Sequence, residues 1–124
     1  MAREEALISI SVEAASNLSA SQYRFMRVNA SGKLAAPTAG QSVDGVLQDK
    51  PDADGAVGLL GILGASKITC GAAVTAGDEL TPGTAGKAVT AGTSDVVAGK
   101  ALADGSGDGS IIPMLLTPQK EPLT

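Results

Sequence analysis

The chain reads as an all-β protein: a small single-domain β-barrel or β-sandwich with glycine-rich turns and extended N- and C-terminal arms. Three observations predict it. Apolar residues alternate with period two in several short stretches, 16 glycines punctuate the chain at turn-sized intervals, and no window holds a helical period for long. At 124 residues one domain is the simplest organisation, and a chain of this size hides roughly two thirds of its unfolded surface. Collagen-like and disordered readings fail, because the glycines follow no strict triplet and the stretches between them carry Val, Ile and Leu.

In chain order, Leu7 to Val12 sets Ile8, Ile10 and Val12 on one side and Ser9 and Ser11 on the other, the pattern of a half-buried strand. "VEAASNLSASQ" has room for a short helical turn or a loop. Tyr23 to Val28 is the next strand, ended by "NASG", where Asn29 and Gly32 supply a tight turn, and Lys33 to Ala36 returns as the hairpin arm. Further strands are expected at Val43–Gln48, Ala56–Leu63, Lys67–Val74, Glu79–Thr81, Lys87–Thr90, Val96–Leu102 and Ile111–Leu116. The folded body is therefore placed at 8–116, between an N-terminal arm, 1–7, and a C-terminal tail, 117–124. The arm spans about 20 Å if extended, at ~3.3 Å per residue. Pro118 and Pro122 bias the tail to extended conformations.

An internal echo runs through this pattern. A shift of 54 places Gly32 and Lys33 on Gly86 and Lys87, Val43 on Val97, and Gly45 on Gly99. Two related hairpin units packed into one barrel would produce it.

Composition narrows function. A net charge of −4 opposes a primary role on nucleic acid, whose phosphates select basic grooves. The absence of histidine removes the commonest general base, the usual partner of a nucleophilic serine and the commonest zinc ligand. Cys70, the single cysteine, can form neither an intrachain disulfide nor a cysteine metal cage, and it lies on the apolar side of its strand, where an inert thiol is expected. The longest apolar run, Ala56 to Ala65, is interrupted by Gly58, Gly61 and Gly64 and is far shorter than the ~20 residues of a membrane helix. Charges in "MAREEALISISV" leave no apolar core for an export signal, so synthesis in a cytoplasm is expected. With Tyr23 and Phe25 the only aromatics and much of the apolar content alanine, the core is thin. Partners or oligomerisation would remove more apolar area from water.

Candidate chemistry is sparse. "DGSGDGS" (Asp104 to Ser110) opens like a calcium loop, with oxygens at alternate positions, but the bidentate Glu required at its twelfth position is Leu115. "LQDKPDADG" shows Lys50 after Asp49 at a loop tip, as lipoyl carrier domains do, yet Pro51 departs from that pattern. The pairs Asp52 with Asp54 and Asp78 with Glu79 sit in polar turns suited to solubility. No enzyme, cofactor or metal reading emerges. "YRFMRV" mixes Tyr, Phe, Met and Arg on both faces of an extended strand, a composition that fits an interface as well as a core strand with solvated arginine ends.

The order of these pieces is familiar. "LSASQYRF" leading to "VNASGK", then "GVLQDKP", "ASKITCGAAVTAGDEL", and "GKAL" before a glycine-rich turn resemble the small capsid decoration, or cement, proteins of tailed bacteriophages, a family often designated only as a domain of unknown function. The likeness covers about Ile8 to Leu116. It implies a β-barrel or sandwich that binds the outside of the expanded capsid, holds neighbouring major capsid subunits together and stabilises the head against DNA pressure. It further implies a homo-oligomer, with a trimer favoured and a dimer possible, and a place on the virion surface. Partner-contact candidates are Ile8 and Ile10, able to pair as an added strand, and Tyr23, Arg24 and Phe25. The alternative is a carbohydrate- or receptor-binding β-module of a phage particle, for which two aromatics are few.

Overall fold

Each of the alternating stretches forms a strand. A computed structural model describes residues 7–117, so the expected arms lie outside the described residues except for Leu7, which opens the first strand, and Thr117. The strands are β1 (Leu7–Glu13), β2 (Phe25–Val28), β3 (Leu34–Ala35), β4 (Gly45–Leu47), β5 (Val57–Thr69), β6 (Glu79–Pro82), β7 (Ala88–Thr90), β8 (Gly99–Ala101) and β9 (Ile111–Leu116). A 3-10 turn, Thr84–Gly86, separates β6 from β7. All named ladders are antiparallel. They form one strongly curled sheet, a half-barrel, in the order β3-β2-β4-β5-β9-β8-β6-β7, with β1 paired to β5.

β4 and β8 are shorter than the expected Val43–Gln48 and Val96–Leu102, and two further boundaries differ from the sequence expectation. Ala56–Leu63 and Lys67–Val74 are joined as the 13-residue β5. The link does not turn, because Gly64, Ala65 and Ser66 stay in the ladder opposite Leu116, Leu115 and Met114 of β9. Past Thr69 only isolated bridges remain, Cys70 to Ala88 and Val74 to Gly105. The second difference is at Tyr23, whose φ of 61° belongs to a turn and delays β2 to Phe25. The Tyr23 N–H donates to Leu47 O at 2.7 Å, and its carbonyl accepts from Thr69 N–H at 2.7 Å.

The internal echo is a structural duplication. β6, β7 and β8 begin 54 residues after β2, β3 and β4, and β9 (111–116) repeats the first half of β5 (57–62). β1 (7–13) corresponds to the second half of β5 (63–69) at a spacing of 56. Thus β5 closes the first unit and opens the second. Turn geometry repeats as well: positive φ recurs at Tyr23 and Gly77, Gly32 and Gly86, Gly40 and Ser94, Gly55 and Gly109. So do the stitches. Lys33 Nζ meets Asp54 Oδ1 at 2.8 Å and Lys87 Nζ meets Asp108 Oδ1 at 2.9 Å. Gly55 N–H donates to Ala14 O as Gly109 N–H donates to Cys70 O, both at 2.8 Å.

The echo's glycines at 45 and 99 have one cause. A Cβ on Gly45 would strike the carbonyl oxygen of Gly61, and one on Gly99 would lie 2.7 Å from the carbonyl oxygen of Leu115, the equivalent atom of the second unit. The adjoining strand crosses too closely for any side chain.

Two cores result, on opposite faces of the sheet around β4 and β5. The smaller holds Ala14, Leu18, Met26, Leu34, Leu47 and Leu60. Their equivalents Cys70, Val74, Leu80, Ala88, Ala101 and Met114 all lie in the larger core. That core is completed by Phe25, Val43 and Val46 of the first unit. Phe25 and Met26 are therefore both fully buried, although they point to opposite faces. β2 runs between two cores, which accounts for its mixed composition.

Candidate functional site: an apolar groove at the open end

Strand β1 sets Ile8, Ile10 and Val12 on one side, as the alternation requires, with Leu7 on the other packing against the larger core; of the three, only Val12 packs against the smaller core. Ile8 and Ile10 remain 57% and 44% exposed. They extend past the edge of that core and, with Val28, Leu60, Ile62, Leu63 and Asp44, line a groove of about 510 Å³. A register shift between Ile8 and Ser9, where β1 meets β5, leaves Ile62 without an opposite residue and shapes the floor. Asp44 Oδ2 on the rim accepts from Val28 N–H at 2.8 Å, joining the two walls.

The other sequence candidates fall elsewhere. Tyr23 and Arg24 are half-buried in the turn before β2, and the Lys67 ammonium sits 5.5 Å from the centre of the Tyr23 ring, a cation–π distance. Phe25 is a correction: its side chain is fully buried among Val43, Val46 and other members of the larger core, so it packs the protein's own interior and presents nothing to a partner. The structure brings Ile8 and Ile10 together and leaves Tyr23 and Arg24 outside the groove's lining. Val28, Asp44, Leu60, Ile62 and Leu63 escaped the sequence reading: the bulge interrupts the alternation between Ile62 and Leu63, and Val28 and Asp44 join the groove only through the tertiary fold.

The motif-bearing loops are stitched into the fold. Asp104 Oδ1 accepts from Ala76 N–H at 2.9 Å, while Asp108 pairs with Lys87, so the two carboxylates of "DGSGDGS" serve different partners. Asp49 Oδ1 accepts from Leu59 N–H at 3.0 Å, with Lys50 exposed beside it. Cys70 is buried, and burial pushes its thiol above the ordinary cysteine value. Among the described residues no helix is long and apolar enough to cross a membrane.

Fold and groove together define a duplicated antiparallel β-domain with an exposed apolar groove. Such a fold is found in the head fiber gp8.5 N base of bacteriophage phi29, which superposes with a TM-score of 0.73 over 96% of this chain and 99% of that one, at 22% identity. No protein-family model matches the chain, and no curated protein does.

Proposed function

We propose that this protein is a structural component of a phage particle that binds the outer surface of the expanded head. There it cements neighbouring major capsid subunits as a homo-oligomer, with a trimer favoured over a dimer. One observation carries the reading: its fold matches, over nearly the full length of both chains, that of the N base of a phage head fiber. The order of sequence motifs points the same way, and the half-buried turn carrying Tyr23 and Arg24 is the proposed capsid contact. The protein acts by binding, without catalysis or a cofactor, and is made in the host cytoplasm before joining the virion. The mechanism is linkage: a protein that binds only the expanded lattice lowers that state's free energy, and many copies add their effects.

The same comparison favours a second reading, in which the domain is the attachment base of a projecting fibre. Co-sedimentation with expanded heads lacking the protein, with unexpanded procapsids as control, tests both. Saturable binding to the expanded shell alone is expected. Occupancy of every equivalent lattice site marks a cement, occupancy of a sparse subset marks a fibre base, and binding to neither shell overturns the proposal.

A further inference from the structure

The second unit shows what the groove is shaped to hold. At the repeat spacing, Ile10, Val28, Asp44, Leu60 and Ile62 correspond to Ser66, Pro82, Ala98, Met114 and Leu116. There the surface is covered by the first unit. Ala98, Met114 and Leu116 share a core with Phe25, Val43 and Val46. Gln48 Nε2 donates to Ser66 Oγ at 2.9 Å, and Gly40 N–H donates to Pro82 O at 2.8 Å.

The covering face of the first unit is the side of β2 and β4 that bears Phe25 and Val46. Its counterpart on the second unit, carried by β6 and β8, looks outward. Glu79 and Lys100 stand opposite each other there, where Phe25 and Val46 do in the first unit. Leu102 takes the place of Gln48 and Leu115 that of Gly61, and these leucines are 42% and 41% exposed.

We propose that the groove receives this outer face of the second unit from another copy of the chain, repeating between chains the contact that joins the two units within one. Two pairs of replacements on the two surfaces are matched. Inside the chain Gln48 and Ser66 form a hydrogen bond; between chains the same positions are Leu102 and Ile10, both apolar. Inside, Val46 and Ala98 are both apolar; between chains they are Lys100 and Asp44, of opposite charge. Glu79 replaces the aromatic anchor Phe25, so the contact between chains is weaker than the internal seam and concentration-dependent. It is head-to-tail, and such contacts close into rings when the rotation permits. The inference rests on the self-association proposed above and is independent of capsid binding.

Two variants test it, Ile10→Glu in the groove and Leu102→Glu on the outer face, both at exposed positions where the fold tolerates charge. Sedimentation equilibrium of the full chain is expected to show an oligomer that either substitution weakens at least tenfold, with thermal midpoints unchanged at dilutions where every chain is monomeric. A mixture of the two variants should form a heterodimer and stop there, since one partner keeps an intact groove and the other an intact outer face. A wild-type chain that stays monomeric at about 1 mM, a concentration that captures even contacts of ~4 kcal/mol, overturns the proposal. So does an oligomer lost with Ile10→Glu but indifferent to Leu102→Glu, the mark of groove-to-groove pairing. A monomer whose capsid binding is abolished by Ile10→Glu also overturns it and gives the groove to the capsid protein. Loss of capsid binding with self-association intact would instead count against the cement reading alone.

Discussion

The first unit fills its core from its own residues, with leucines at 18, 34, 47 and 60 around Met26. The second holds alanine at 88 and 101 where the first has leucine, and the space is taken by Phe25, Val43 and Val46 reaching across the sheet. The two copies of one plan have therefore divided the work. One is self-sufficient and leaves an apolar face open; the other is thin and depends on its neighbour. The difference teaches that a duplication supplies its own template for a binding surface, because whatever covers a face in one copy defines what fits the same face in the other.

Breaking this asymmetry at its centre should have the largest effect. Phe25→Ala is expected to cost about 3–5 kcal/mol, the range for emptying a buried aromatic site, while Glu79→Ala at the equivalent position should stay within about 0.5 kcal/mol. Urea denaturation of both variants measures the contrast, and equal effects would mean that the second unit does not lean on the first. Next come the points where the units are alike. Gly45→Ala and Gly99→Ala each push a methyl group into a carbonyl of the adjoining strand, and each should lose about 1–3 kcal/mol or more. A large loss at one position and none at the other would show that the two crossings are not equivalent.

A smaller effect of opposite sign is expected at Thr81. Its hydroxyl is buried without a hydrogen-bond partner, whereas the equivalent Arg27 is exposed. Thr81→Val should stabilise by about 1 kcal/mol, since the desolvated oxygen disappears and the shape is kept. A destabilised variant would mean that the hydroxyl makes a contact worth more than its burial.

The smallest effect belongs to the repeated ion pairs. The hydrogen bond and charge of Asp54 raise Lys33 above the ordinary lysine value of 10.5. The sign follows from linkage: the contribution is whole below the ordinary value and fades as pH climbs through the raised one. Both pairs are solvent-exposed, so Lys33→Met and Lys87→Met should move the thermal midpoint little and by similar amounts. The Lys33→Met difference should vanish in alkaline solution. A difference that persisted there would assign the effect to the aliphatic stem and not to the charge.

Much of this was legible in the sequence because the strands alternate and the turns carry glycine. The duplication showed through the positions with the least freedom. Gly45 and Gly99 admit no side chain, Lys33 and Lys87 each close an ion pair, and Val43 and Val97 are both buried. Asp54 and Asp108, the partners in those pairs, are identical at the same spacing and would have strengthened the case. The core positions hid the repeat, since Leu34 and Ala88, or Leu60 and Met114, serve one role with different volumes. The continuity of β5 was hidden because a glycine followed by small residues, as Gly64 is by Ala65 and Ser66, marks a turn as often as a strand kept in its ladder. Phe25 was ambiguous for a tertiary reason: a strand buried on both faces looks, in one dimension, like a strand meant for contact. The groove depended on where the second layer ends, and no local pattern records that.

Sharing β5 between the units also gives the protein an order of birth. The first unit is complete once residue 64 has left the ribosome, but Phe25, Val43 and Val46 then wait for strands that end at residue 116. At about 5–20 residues per second, synthesis leaves this apolar face uncovered for several seconds. The nascent chain carries two sticky surfaces, and only one is hidden by the end of translation. A cell making many copies at once runs its greatest risk of misassembly in that interval, when a neighbouring nascent chain can offer the second unit that its own ribosome has yet to deliver.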